Sequence, residues 1–303
     1  PLPRPPVGAV LARHWHYDLP PALHAPRTGQ MECFLMDSGA LADLSKAVTD
    51  GFVFDWKYAR YRRRHYGTSS KDRPGQQFVG FIQNHDQIAN TCRGKRLSTL
   101  VSAGQEKLAA VLTLGSPFLP RLFMGEEYGE TAPFLYFTSF EDPDLAAAVR
   151  EGRKKELGTH YSASEFADPQ APDTFERCKL DWSKTVISPH AEILRLYRDL
   201  ISLRKQQPPL ANCRKDLTDI QFDEQARWLI MKRSDPSGSE ALLVCNFSCE
   251  AQSIPAGCAH PWRLALWTGD AIYGGGSGSR LVEHPGPLSH LSLAGFEAAI
   301  LIR

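Results

Sequence analysis

An α/β fold followed by a smaller β domain is the architecture that the sequence predicts. In the first two thirds of the chain, short apolar runs alternate with helical patterns, which is typical of a parallel sheet. After Pro209, short β-like runs are separated by turns rich in Gly, Ser and Pro. Because 303 residues are enough for two hydrophobic cores, we expect one domain over residues 1–209 and a second over residues 210–303.

The parallel sheet is predicted from one strand–helix–strand unit. Phe78–Ile82 is a continuous apolar run, typical of a strand that is buried on both faces. Gln105–Gly115 has an apolar face at helical spacing, and Pro117 and Pro120 end this helix. Arg121–Met124 predicts the next strand. Strand, helix and strand in this order form the unit of a parallel sheet. In a closed barrel of such units, polar residues at the carboxyl ends of the strands form the active site.

Further helices are predicted where apolar residues recur at helical spacing, or where an acidic start is followed by a basic end. These segments are Gly39–Val48, Asp144–Leu157 and Pro189–Arg204. The segment Asp55–His65 carries four arginines, one lysine and two tyrosines. Its pattern leaves open a solvated helix face, a loop, or the polar rim of a sugar site.

The last third of the sequence predicts an antiparallel β domain. Its apolar runs are short and alternate with turn residues, as in a small sandwich. The predicted strands are Trp228–Lys232, Ala241–Phe247, Trp262–Trp267, Leu288–Leu293 and Glu297–Ile302. Trp228, Trp262 and Trp267 are either core residues or platforms on which sugar rings stack.

Composition excludes several functional classes. A formal net charge of +1, 42% hydrophobic residues and 23% charged residues are ordinary globular values, so we expect no nucleic-acid partner. The apolar stretches fall short of the roughly 20 residues that cross a bilayer, so we expect no membrane contact. Seven cysteines without a repeating spacing argue against a disulfide framework and favour the cytoplasm. No residues follow a zinc-finger spacing, and we expect neither metal nor cofactor.

One polar cluster follows the first predicted strand directly. Asn84, His85, Asp86 and Gln87 stand where the apolar run Phe78–Ile82 ends. From spacing alone, these side chains could cap a helix or bind loop amides. Alternatively, a carboxylate and an imidazole there could bind adjacent sugar hydroxyls, with hydrogen bonds that strengthen in an oxocarbenium-like transition state.

This cluster and later tracts resemble a known family. Asn84-His85-Asp86, the helix that follows and Leu122–Glu127 resemble the end of strand seven through strand eight of the (β/α)8 barrel of the α-amylase family of glycoside hydrolases. Five tracts are similar, in the same order, to the branch of that family that releases trehalose: Phe81–Gln87, Leu122–Thr138, Ala148–Arg153, Asp168–Gln170 and Thr174–Trp182. The resemblance implies the C-terminal portion of a (β/α)8 TIM barrel, followed by a small antiparallel β-sandwich domain.

The resemblance also implies an activity. Enzymes of this branch hydrolyse the α-1,4-glucosidic bond next to the terminal trehalose unit of maltooligosyltrehalose, a step of trehalose biosynthesis. Asp86 is then the transition-state-stabilising carboxylate, and His85 binds a neighbouring hydroxyl. The candidate substrate contacts on the same motifs are Asn84, Gln87, Glu126 and Glu127. The last two could equally belong to a capped loop.

The family's other two catalytic groups are expected elsewhere. The resemblance places the nucleophilic Asp and the acid/base Glu upstream of Pro1, so the 303 residues alone should be inactive and should need the missing N-terminal part of the barrel. Trp15–Pro21 departs from the family's Trp-x-Asp-Asp-Phe-His-His segment, and Ser139-Phe140 replaces its Asp-His. Two alternatives therefore stay open: a related enzyme such as a glycogen branching enzyme, and a non-catalytic glucan-binding module.

Overall fold

The computed structural model describes residues 14–15, 40–59, 62–90, 93–157, 166–258, 260–276 and 288–303. Residues 16–21, where the sequence departs from the family pattern, lie outside this part of the chain. Two compact units are present. The first is formed by the described parts of residues 1–82, 103–121 and 195–303, and the second by those of 83–102 and 122–194. The domain boundary near residue 209 stays a prediction.

Helices and strands occur in the following order along the chain. The α-helices are α1 (Leu41–Asp50), α2 (His85–Ala89), α3 (Ala103–Gly115), α4 (Pro143–Leu157), α5 (Pro172–Glu176), α6 (His190–Gln206) and α7 (Pro208–Ala211). The strands are β1 (His14–Trp15), β2 (Asp55–Ala59), β3 (Arg64–Gly67), β4 (Phe78–Gly80), β5 (Leu119–Pro120), β6 (Thr218–Asp223), β7 (Trp228–Ser234), β8 (Glu240–Asn246), β9 (Gln252–Cys258), β10 (Arg263–Trp267), β11 (Leu288–Leu293) and β12 (Ala298–Ile302). None of the described helices has the length and apolar character needed to cross a bilayer.

The predicted strand–helix–strand unit is present in the first compact unit. Strand β4 pairs in parallel with β1 on one side and with β5 on the other, and α3 connects β4 to β5. The second strand is not at Arg121–Met124 as expected but just before it, at Leu119–Pro120. Arg121 donates one last amide hydrogen bond to Gly80, and the chain then turns at Gly125, whose φ is +80°. Reading Pro120 only as a helix breaker displaced the predicted strand, although proline is tolerated at a strand end.

Among the described residues of the segment Asp55–His65 there is no helix: residues 62–63 form a turn, and most of the others lie in strands. The segment supplies β2 and the start of β3, which pair antiparallel as a hairpin. A bulge between Asp55 and Lys57 interrupts the register, and Trp56 there has a φ of +86°. Most residues of both strands are exposed whatever their polarity, so the strands lack the alternation from which a hairpin is usually recognised.

The antiparallel strands of the last third confirm the predicted β runs. A five-stranded sheet has the order β10-β12-β8-β7-β6, and β9 pairs with β11. The buried side chains of both sheets form one core, made by Ile230, Leu242, Val244, Ile254, Trp262, Leu291, Leu293, Ala299 and Leu301. Trp228 and Trp267 pack against this core, so the tryptophans serve packing. Strands β6 and β9 were not predicted, because β6 is a mostly polar edge and β9 contains Pro255 and Gly257.

Two arginine side chains bind the backbone at the C-terminal end of α3 in the first unit. Arg204 donates to the carbonyl oxygens of Leu114, Ser116 and Phe118 after the last turn of α3. Arg233, which is fully buried on β7, donates to the carbonyl of Gly115 at 2.6 Å. Burial, and then the nearby charge of Arg204, lower the pKa of Arg233 to about 9. These side chains therefore supply donors to helix-end carbonyls that have no intrahelical partner.

Replacement of Arg233 by methionine tests this capping. Without the guanidinium, the buried carbonyls of Gly115 and Asn212 lose their donors, so we expect the free energy of unfolding to fall by roughly 2–4 kcal/mol. This change in the free energy of unfolding is measured by urea unfolding, monitored by far-UV circular dichroism. Arg214→Met is the control, because Arg214 is exposed and pairs with Asp216 on the surface. Equal effects of the two substitutions would contradict the capping role.

Glu106, in the first turn of α3, makes stability depend on pH. Only 4% of this residue is exposed, and burial raises the pKa of its carboxyl from 4.5 to about 7. The folded state therefore holds the proton more tightly than the unfolded state, so stability is lost as the pH rises from 4.5 through 7. We expect the free energy of unfolding of Glu106→Gln to equal that of the wild type at pH 4.5 and to be higher at pH 8 by up to about 3 kcal/mol. A thermal melt of both proteins across this pH range is the measurement, and parallel curves would refute the expectation.

Candidate active site

The residues after β4 form a tight turn into the short helix α2. Phe81 and Ile82 are fully buried, and the side-chain oxygen of Gln83 accepts from the amide of Leu97 at 3.0 Å. Asn84 is the N-cap of α2, with its side-chain oxygen accepting from the amide of Gln87 at 3.0 Å. The side chain of Gln87 accepts in return from the amide of Asn84 at 3.1 Å. This capping box fixes the first turn of the helix.

His85 and Asp86 occupy the first turn of α2 and are both accessible. Their side chains are 53% and 49% exposed, and Nε2 of His85 lies 3.2 Å from Oδ1 of Asp86. The carboxylate also stands at the positive end of the helix dipole, which favours a negative charge there. A carboxylate and an imidazole are therefore presented together to solvent from a backbone turn that is held by hydrogen bonds.

Glu126 and Glu127 lie on a second turn and differ in their exposure to solvent. Gly125 and Gly129 have φ values of +80° and +66° and enclose a 3-10 turn over Glu126–Tyr128. A Cβ at Gly125 would lie 2.7 Å from Cβ of Glu130, so only glycine fits. Glu126 is 2% exposed, with Oε2 at 3.4 Å from the amide nitrogen of Phe123, whereas Glu127 is half-buried.

Glu130 organises this second turn, and the sequence analysis did not single it out. Its buried carboxylate accepts from the amides of Thr131, Ala132 and Asp181, from the hydroxyl of Tyr128 and from the ammonium of Lys184. Burial alone would raise the pKa of Glu130, but these hydrogen bonds, led by that of Lys184, hold the pKa at about 2. Lys184 lies 54 residues along the chain, so no local spacing could have indicated this charge cluster.

Arg96 and Leu97 connect the two turns within the second unit. The Arg96 guanidinium donates to the carbonyls of Met124 at 2.6 Å and Ala132 at 2.7 Å, and it lies over the Phe123 ring. The amide of Leu97, as noted, binds the side chain of Gln83 before α2. The structure thus brings Asn84, His85, Asp86 and Gln87 together on one turn and places Glu126 and Glu127 on a second turn tied to it through residues 96–97.

The fold and this strand-end arrangement define the class of protein. No family model matches the chain. A Salmonella typhimurium chain assigned as an alpha amylase and solved at 1.4 Å is 32% identical, has a TM-score of 0.78, and covers 96% of this chain and 47% of its own length. The multi-modular glycogen-degrading pneumococcal virulence factor SpuA shares the fold with a TM-score of 0.61 at 14% identity, over 96% of this chain and 31% of its own length. The chain has the C-terminal portion of a (β/α)8 barrel of the α-amylase type, with antiparallel strands after it.

Sequence relatives narrow the comparison within that class. The chain resembles the C-terminal part of malto-oligosyltrehalose trehalohydrolase. The Brevibacterium helvolum enzyme of that name is 43% identical over 245 residues, which are 80% of this chain and 41% of the relative. The Rhizobium sp. (strain M-11) enzyme is 42% identical over 275 residues, 89% and 44%, and the Mycobacterium tuberculosis enzyme 36% identical over 251 residues, 82% and 42%. The chain thus spans about two fifths of the length of these relatives.

Substitution of Glu130 by glutamine tests how the second turn is held. The neutral amide loses the ion pair with Lys184, so we expect a loss of roughly 3 kcal/mol in the free energy of unfolding near neutral pH. Because the folded pKa is lowered, the carboxylate's contribution is complete above pH 4.5 and is lost as the pH falls toward 2. The difference in the free energy of unfolding between the wild type and Glu130→Gln, measured by urea unfolding, should therefore become smaller below pH 4.5. A difference that stays constant down to pH 2.5 would count against this.

Proposed function

We propose that the protein is a glycoside hydrolase that cleaves the α-1,4-glucosidic bond next to the terminal trehalose unit of maltooligosyltrehalose. The observation that carries the proposal is the accessible His85–Asp86 pair on a capped turn after a buried parallel strand. Its chemistry suits a sugar ring, and the relatives' name specifies trehalose release. The reaction would belong to trehalose biosynthesis, and the scattered cysteines favour the cytoplasm as its place.

Asp86 is assigned the role of transition-state stabiliser. As the glycosidic bond breaks, positive charge develops on the sugar ring, and a carboxylate beside its hydroxyls lowers the free energy of that state more than that of the substrate. His85, 3.2 Å from the same carboxylate, would donate to a neighbouring hydroxyl. A retaining glycosidase also needs a nucleophile and an acid/base about 5–5.5 Å apart. We propose that both come from the part of the relatives that this chain does not match.

The remaining candidates are ranked by how accessible they are. Glu127 and Gln87 are partly exposed and are proposed as sugar contacts from the two turns. Asn84 and Glu126 are buried, and Asn84 uses its side-chain oxygen to cap α2. We propose that these two act on the substrate mainly by shaping the turns that carry the exposed groups. The bound partner would be maltooligosyltrehalose or a related α-glucan.

The charge of Asp86 is tested in the full-length protein. Asp86→Asn is nearly isosteric and removes the negative charge, so we expect kcat to fall by about 100-fold or more with the fold intact. His85→Ala should lower activity less, because a hydroxyl contact is lost and the charge is kept. Trehalose and reducing-sugar release from maltooligosyltrehalose is the assay, and circular dichroism checks the fold.

Asp144→Asn is the matched control for this experiment. Asp144 is also an exposed aspartate in the first turn of a helix, α4, so the two substitutions remove the same charge from similar local structures. Activity should be unchanged in the control. Near-normal turnover by Asp86→Asn would refute its assignment. Transfer of glucan chains without trehalose release would instead indicate a branching enzyme, and sugar binding without turnover in the full-length protein would indicate a binding module.

A further inference from the structure

The helix that carries His85 and Asp86 is too short to hold its own orientation. Helix α2 has five residues, about one and a half turns, and an isolated helix of this length is unstable in water. Its N-terminal end is fixed by the capping box of Asn84 and Gln87. The direction of its first turn therefore also depends on what holds the C-terminal end.

Arg153 holds that second end. Its Nη2 donates to the carbonyl oxygen of Ala89 at 2.9 Å, and its Nη1 donates to Oδ1 of Asn90 at 2.9 Å. Ala89 is the last residue of α2 and Asn90 is its C-cap, so one guanidinium closes the helix end. A cation at a helix C-terminus also complements the helix dipole. Both acceptors lie more than 60 residues before Arg153 in the sequence, so the contact joins α4 to α2.

The guanidinium is itself held in place from two sides. It lies 4.5 Å from the centroid of the Tyr136 ring, and Nη1 pairs with Oε2 of Glu156 at 2.8 Å. Its side chain is only 11% exposed, although most of α4 lies in solvent. A planar group with an aromatic ring, a carboxylate and two acceptors around it has little rotational freedom. It therefore holds the end of α2 in a fixed position relative to α4.

We propose that Arg153 is a positioning residue for Asp86 and His85. It contacts neither of them, and it acts by fixing the C-terminal end of α2, so that the first turn presents the carboxylate and the imidazole in one direction. The inference rests on the proposed function, because it assumes that Asp86 acts on the sugar in the transition state. Misplacing a catalytic group by about 1 Å can cost on the order of 100-fold in rate.

Turnover by the full-length Arg153→Met variant is the first test. We expect kcat on maltooligosyltrehalose to fall about 10- to 100-fold with KM changed less than about 2-fold, because the turn is misdirected mainly in the transition state. Arg150→Met is the matched control: it removes a guanidinium from the same helix, where Arg150 pairs with Asp168. It should leave kcat unchanged. Arg153→Lys keeps one donor for Ala89 and should recover part of the lost kcat.

Amide hydrogen exchange of residues 88–90 is the second test, and it needs no substrate. Exchange there should be faster in Arg153→Met than in the wild type and in Arg150→Met. If the wild type releases no trehalose, the proposed function fails, but faster exchange would still support fixation of the helix end by Arg153. Unchanged exchange, or wild-type kcat in an active Arg153→Met enzyme, would overturn the positioning role.

Discussion

The buried C-terminal end of α3 is the constraint on which the first compact unit depends. A Cβ at Gly115 would lie 2.1 Å from Cδ2 of Leu243, so this helix end packs directly against β8 without room for a side chain. Backbone carbonyls in such a place need donors from other parts of the chain. Arg204 of α6 and Arg233 of β7 supply them. The strand–helix–strand unit, the long helix after it and the antiparallel sheet are therefore joined through one set of carbonyl oxygens.

The second compact unit uses the same chemistry around the candidate active site. The two candidate turns are short, and a charged side chain ties each of them to a distant segment: Glu130 of the second turn binds the amide of Asp181 and the ammonium of Lys184, and Arg153 of α4 binds the end of α2. His85 and Asp86 are half-exposed, and both ends of the helix that carries them are held by hydrogen bonds from other side chains. The proposed stabilisation of a transition state would require groups that are held in place in this way.

The elements with strong hydrophobic periodicity were predicted most accurately from the sequence. The apolar pattern of α3 and the runs of β7, β8 and β12 predicted these elements to within a few residues, because their side chains form the core. Strands could not be predicted where most side chains are exposed and polar and apolar residues do not alternate, as in the hairpin β2–β3 and the edge strand β6. Pro120 displaced the second parallel strand for a different reason, since proline is excluded from a sheet interior but not from a strand end.

The sequence by itself determined the order of the main elements and the chemical character of the Asn84–Gln87 turn, because both follow from residues that are neighbours along the chain. Only the tertiary structure decided which charged groups are buried and what they bind. Glu130 meets Lys184 across 54 residues, Arg153 meets Asn90 across 63, and Arg233 meets Gly115 across 118. The pKa of a carboxyl group and the contribution of a guanidinium to stability depend on desolvation and on hydrogen-bond partners. Those partners come within hydrogen-bonding distance only when the chain folds.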